Sequence, residues 1–188
     1  MAFPAGGSAP ELAEFVDEVL AATGTDRIDL VGHSEGTVMP QYYLKFLGGA
    51  AKVHRYVALT PLYDGSTVQN TTELLDRLGE ELPIVGGIAD ELCGSCREFF
   101  KGSEFLTKLN AGGAAVPGIE CTTIMTKYDQ VVTPCTSGYL DAPNATNIVL
   151  QDVCPADFVE HVAVAFNPHV RQMVLNALDP ANAQPVRC

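Results

Sequence analysis

Arg27-Ile28-Asp29-Leu30-Val31-Gly32-His33-Ser34-Glu35-Gly36-Thr37 carries the strongest structural signal in the chain, and it runs on into Val38-Met39-Pro40-Gln41-Tyr42-Tyr43-Leu44-Lys45-Phe46-Leu47. The apolar run Ile28–Val31 reads as a strand, the segment from Val38 reads as a helix, and Gly32-His33-Ser34-Glu35-Gly36 is a G-x-S-x-G between them. That order is the setting of a nucleophile elbow, a tight strand-to-helix turn that presents a serine hydroxyl at the sheet's carboxyl edge. So tight a turn leaves no room beside the serine. Gly32 and Gly36 are expected to supply the space, because without a Cβ they let strand and helix approach closely. An ordinary glycine-rich turn would share the pentad. The flanking strand and helix, with Asp and His residues later in the chain, favour the nucleophile reading.

A serine hydroxyl is a poor nucleophile until a neutral imidazole takes its proton, and the imidazole needs a carboxylate to hold its tautomer. After an elbow these partners follow in the order acid, then base. Asp129 stands just past the predicted strand Ile119–Lys127, where a carboxylate at a strand end would reach the serine. His161 lies in a loop between the last strand and the last helix, so Ser34, Asp129 and His161 are the predicted catalytic set. Asp152 and Asp157 are the alternatives for the acid, and Glu160 reads as a neighbour that hydrogen-bonds near His161. His33 is expected to point its ring away from Ser34, and His54 and His169 read as surface residues. The N–H of Glu35 is the predicted oxyanion donor.

The 188 residues suit one domain with a sizeable core. Eleven Lys and Arg against 23 Asp and Glu give a formal charge of −12, with no basic cluster. Such a surface excludes nucleic acid and anionic membranes as electrostatic partners. No apolar run reaches the length of a transmembrane helix. Met1-Ala2-Phe3-Pro4-Ala5-Gly6-Gly7 lacks a basic n-region and an apolar h-region and is not read as a secretory signal.

Ser8-Ala9-Pro10-Glu11 reads as a capping box opening a helix that carries Leu12, Phe15, Val16, Val19 and Leu20 inward and closes at Gly24. The elbow helix ends at Gly48-Gly49, and Val53–Leu59 is the next strand, stopped by Thr60-Pro61. A β-α-β unit of this kind implies parallel strands with a right-handed crossover. Residues 62–118 change character, with helical pieces over Thr72–Leu78 and Ser103–Leu109. They read as a cap inserted over the site, with Leu74, Leu75, Leu78, Phe99, Phe100 and Phe105 on its inner face. The alternative is a helical pair packed at the periphery. Ile119–Lys127 and Ile148–Leu150 complete a predicted sheet of about four strands, and Asn167-Pro168 opens a last helix carrying Val170, Val174 and Leu178. The fold class is α/β, within a single domain of residues 1–188.

The similarity that follows runs almost from end to end. Gly32–Thr37, Tyr42–Val53, Leu106–Asn110, Thr126–Pro134 and Asn147–Cys154 with Glu160-His161 resemble the secreted bacterial lipases and esterases of class 2 type, in the α/β-hydrolase superfamily. The resemblance implies hydrolysis of acyl esters without a cofactor, on an ester or lipid substrate, with Ser34, Asp129 and His161 matching nucleophile, acid and base; an acyltransferase or thioesterase with the same triad, or a catalytically weak binding or assembly module, is the alternative. It also implies secretion, in keeping with six cysteines. Two departures stand out. Glu35 takes the place after the nucleophile where the family usually carries Gln, and the chain opens at the helix before the elbow strand. The strands and the His-Gly-type loop that would donate a second oxyanion N–H are therefore missing from this reading, a loss worth roughly a hundred- to a thousandfold in rate. The Ile28–Val31 strand is expected to be an edge covered by a second copy of the chain, with the Met1–Ala9 segment folding back or a lost N-terminal fragment as the alternatives.

Six cysteines in a chain of this length point either to disulfides in an oxidising compartment or to metal ligation. Cys93-Gly94-Ser95-Cys96 reads as a small disulfide loop, with zinc ligation or redox chemistry as alternatives. Cys154 and Cys188 are expected to join the loop before His161 to the C-terminus, and Cys121 and Cys135 to be free or buried.

Overall fold

The protein is described here from a computed structural model, which covers residues 5–67 and 96–188. Cys93, Leu74, Leu75 and Leu78 lie outside the described residues, as do the Thr72–Leu78 helix and the Cys93–Cys96 pairing with its alternatives.

Four parallel strands, β1 (Ile28–His33), β2 (Val53–Leu59), β3 (Glu120–Met125) and β4 (Ala145–Val149), lie side by side in sequence order. Helix α1 (Ala5–Thr23) precedes them and α2 (Val38–Phe46) crosses from β1 to β2. Among the described residues three more α-helices follow: α3 (Glu104–Asn110), the single turn α4 (Leu150–Val153) and α5 (Pro168–Leu178). The predicted α/β class and strand count therefore stand. Among the described residues β1 pairs with β2 alone, so it is an edge.

Parallel strands are buried on both faces, which is why β2 is apolar and buried from Tyr56 to Leu59, with His54 and Arg55 half-buried near its start. Side chains alternate. Val53, Tyr56 and Ala58 meet Ala9, Val16, Tyr43 and Leu44 of α1 and α2 on one face. Val57 and Leu59 meet Val164, Val170 and Met173 on the other. Each such side chain contributes about 1.5–3 kcal/mol of burial. The β1–β2 register slips between Ile28 and Leu30, and the carboxylate of Asp29 accepts the Arg55 N–H at 2.9 Å there. The slip lies on the paired side of β1, not on its open edge.

Local signals act as read, with exceptions. Gly24 closes α1 in the left-handed region at φ +68°, its N–H donating to Leu20 O at 2.9 Å. The Ser103 hydroxyl caps α3 by accepting from Leu106 N, and the Asn167 side chain caps α5 by accepting from His169 N and Val170 N. The capping box at Ser8 is not formed: α1 begins at Ala5, which puts Ser8 and Pro10 inside it. Phe15, expected inside, is 60% exposed. The stripe that faces the sheet is Ala9, Leu12, Ala13, Val16 and Leu20, and Phe15 falls beside it.

Of the stretch 62–118, the described part is anchored at the elbow. Leu62, Leu106 and Leu109 bury against Val38 at the start of α2, with Phe99 and Phe105 packed on their outside. The Lys45 ammonium donates to the carbonyls of Leu109, Ala111 and Gly113, a cation placed where a helix ends and carbonyls lack partners. Cys154 and Cys188 form the expected disulfide, with Cα atoms 5.4 Å apart, and Cys121 and Cys135 are free. Burial pushes the Cys121 thiol up to about 11, which keeps it protonated and inert. Among the described residues no helix is long and apolar enough to cross a membrane.

Candidate active site

Ser34 is the first residue past β1 and takes φ +54°, a conformation that costs a non-glycine residue on the order of 1–3 kcal/mol. The surroundings impose it. A Cβ on Gly32 would sit 2.0 Å from the carbonyl oxygen of Gly36, so no side chain fits at Gly32. A Cβ on Gly36 would meet nothing within 4 Å, which corrects the expectation that both glycines are required. The turn closes by the backbone of Gly36 passing over Gly32. Thr37 Oγ1 then donates to Ser34 O at 2.6 Å, and the buried Tyr56 hydroxyl donates to Thr37 O at 2.6 Å. Thr60, at the end of the neighbouring strand β2, is the other described non-glycine residue with positive φ, at +44°.

Asp129 sits in the turn after β3 and is 8% exposed. Its Oδ1 accepts from Val131 N at 2.9 Å and from Val132 N at 2.7 Å, which points Oδ2 at Nδ1 of His161, 2.8 Å away. Val132 is itself buried with Val38 and Leu62, so the acid turn is seated on the same cluster as the elbow helix.

His161 is 4% exposed and its Nε2 lies 2.8 Å from Ser34 Oγ. A carboxylate only accepts, so Nδ1 carries the proton of the neutral ring and Nε2 is left to accept from the serine hydroxyl. The loop that delivers His161 is pinned from below. Buried Gln151 accepts from Lys127 N at 2.8 Å and donates both to Thr126 Oγ1 and to Asp157 O at 2.9 Å. Thr126 in turn donates to Val159 O at 2.7 Å. The Glu160 carboxylate accepts from Val162 N and Ala163 N, both at 2.8 Å, and these donors hold it below its usual range. Glu160 thus braces the turn after His161, as expected of a neighbour.

The structure brings Ser34, Asp129 and His161 into one hydrogen-bonded chain. It does not bring Asp152 or Asp157 there. Asp152 pairs with Lys127 at the surface. Asp157 faces His169 Nδ1 at 2.6 Å and Asn167 Nδ2 at 2.8 Å; burial pushes its carboxyl up, but these donors outweigh burial and hold it below its usual value. His169 is therefore engaged rather than a bare surface residue. Glu35 is the second residue of the 3-10 turn Ser34–Thr37, and its carbonyl accepts the Val38 N–H. Sequence reading missed one contact to the set. His33 Nε2 lies 2.8 Å from the main-chain oxygen of His161. Nothing in the pentad signals it, since G-x-S-x-G leaves that position open.

A parallel sheet with helices on both faces, and a strained serine at the carboxyl end of a strand linked to a histidine and a carboxylate, define the α/β-hydrolase class. Within that class, the chain belongs to the class 2 lipase family, whose model matches residues 9–174. Among solved structures the fold is similar to Aspergillus fumigatus lipase B, with a TM-score of 0.74 at 17% identity over 98% of this chain and 43% of that one. It is also similar to a Bacillus licheniformis lipase in mature form, with a TM-score of 0.56 at 17% identity over 78% and 66% of the two chains. A gene product of Listeria innocua matches with a TM-score of 0.62 at 13% identity over 98% and 70%. The chain thus spans less than half the length of the Aspergillus lipase it matches.

Proposed function

We propose that the protein is a serine carboxylic-ester hydrolase that works through an acyl-enzyme on Ser34. The observation that carries this reading is His161, whose two ring nitrogens each lie 2.8 Å from a partner, Ser34 Oγ on one side and Asp129 Oδ2 on the other. Ser34 Oγ attacks the ester carbonyl carbon as its proton passes to His161 Nε2, and the carbonyl π pair moves onto oxygen. The N–H of Glu35, at the start of the turn, donates to that oxyanion. Collapse of the intermediate breaks the bond to the alkoxide, which leaves with the proton from Nε2. Water then repeats the sequence against the acyl-enzyme and releases the acid, with Asp129 holding the Nδ1 proton throughout.

An apolar acyl group suits the rim. Tyr128, Val131, Phe158, Val162 and Phe166 flank Asp129 and His161 in the chain and are all exposed, Phe166 by 84%, and the Tyr128 and Phe158 rings meet edge-on with centroids 5.1 Å apart. The Cys154–Cys188 bridge favours an oxidising compartment outside the cytoplasm. The test is turnover of a short-chain p-nitrophenyl ester together with labelling by a fluorophosphonate. The parent should turn over and label, and Ser34→Ala should do neither while keeping its melting curve. Turnover by Ser34→Ala within about twofold of the parent would overturn the assignment, since loss of a triad member costs many orders of magnitude.

A further inference from the structure

We infer that His33 is a positioning residue, one that holds the base in register with the nucleophile through the main chain. The inference rests on the reading of Ser34, Asp129 and His161 as the catalytic set. The elbow and the base loop are joined by two hydrogen bonds to the same residue: Ser34 Oγ meets His161 Nε2, and His33 Nε2 meets His161 O, each at 2.8 Å. A carbonyl oxygen only accepts, so His33 Nε2 carries a proton and donates it. The two imidazole centroids are 5.2 Å apart with planes tilted by 43°, an arrangement without face-to-face contact, so the hydrogen bond is the specific tie.

The two bonds differ in when they exist. The bond to Ser34 changes at every step, because the serine loses its proton on attack and holds an acyl group afterwards. The bond from His33 involves no reacting atom and persists through the cycle. After acylation His161 must stay in place to protonate the leaving group and then to activate water, and in that interval His33 continues to tie the elbow to its backbone. Proximity of this kind is steep, since a misplacement of about 1 Å costs on the order of a hundredfold in rate.

The test uses the ring's reach. The Gln side chain places an amide nitrogen near the position of His Nε2, whereas Asn stops short of it and Leu has no donor. His33→Leu and His33→Asn should lower kcat by roughly ten- to a hundredfold with KM within about twofold of the parent, while His33→Gln stays within about threefold. Single-turnover measurements should show the loss in deacylation as well as in acylation, which a change in substrate binding would not produce. Asn and Gln are close in chemistry, so a general loss of folding cannot imitate a split between them. Equal kcat for the Asn and Gln variants, or a Leu variant within threefold of the parent, overturns the role of His33. Ser34→Ala is run alongside: an inactive Ser34→Ala beside fully active His33 variants removes His33 alone, whereas turnover by Ser34→Ala removes the catalytic set on which it depends.

Discussion

Replacing Asp129 by Asn changes one atom of the site, and the geometry dictates its consequence. Oδ1 accepts from two main-chain N–H groups, those of Val131 and Val132, at 2.9 and 2.7 Å. Asn at this position must keep its oxygen there, because the flipped amide would set NH2 against two donors at hydrogen-bond distance. The NH2 therefore faces His161 Nδ1, which today lies 2.8 Å from Oδ2. Nδ1 must then accept, the neutral ring carries its proton on Nε2 instead, and Nε2 has no lone pair for the proton of Ser34. The base is removed by tautomer, not by displacement. A change of this kind lowers kcat by about 10⁴-fold, or roughly 5.5 kcal/mol of barrier. Stability should hardly move in Asp129→Asn, since both N–H groups keep their acceptor. Asp129→Ala strands both, at about 1–3 kcal/mol for the buried Val132 N–H and less for the part-buried one of Val131. The assay pairs ester turnover with thermal melting of the two variants. A kcat for Asp129→Asn within tenfold of the parent would refute the reasoning, as would a melting loss equal to that of Asp129→Ala.

The elbow glycines should separate: Gly32→Ala prevents folding, because its Cβ meets backbone, whereas Gly36→Ala leaves the stability unchanged or raises it by up to about 1 kcal/mol, read by chemical denaturation. Loss of the Cys154–Cys188 bridge, in a Cys188→Ser variant, should cost about 4 kcal/mol in urea titration, since the two cysteines are 34 residues apart in sequence. Glu160 is held below its usual carboxylate range by the N–H groups of Val162 and Ala163, so its contribution to the turn is complete above that range and is lost as pH falls through the lowered value. Stability curves against pH should therefore converge for the parent and Glu160→Gln at strongly acidic pH and part above it, and curves that remain parallel would contradict the assigned bonds.

Much of the site is legible in the sequence because its signals are local. The elbow needs only a strand, a pentad and a helix in succession, and Gly24, Ser103 and Asn167 act on hydrogen bonds within a few residues of themselves. Chain order was enough to propose Asp129 and His161. It was not enough to set aside Asp152 and Asp157, which stand closer to His161 in the chain than Asp129 does. That choice was made in three dimensions: the β2–β3 register brings the end of β3 level with the end of β2, the turn after β3 aims Asp129 inward, and Lys127 and His169 draw the other two carboxylates away. The role of His33 is likewise invisible to a sequence reading, because its partner is a backbone carbonyl 128 residues away. Phe15 and Gly36 fail in the reading for a related reason: composition tells what a residue can do at a crowded position, while only packing decides whether the position is crowded. The strands, the turn and the candidate reacting groups of the proposed mechanism could be read from the sequence, since these depend on neighbours along the chain. Their distances, their orientation and the residues that hold them were decided by contacts between elements far apart in sequence, which exist only once the sheet has formed.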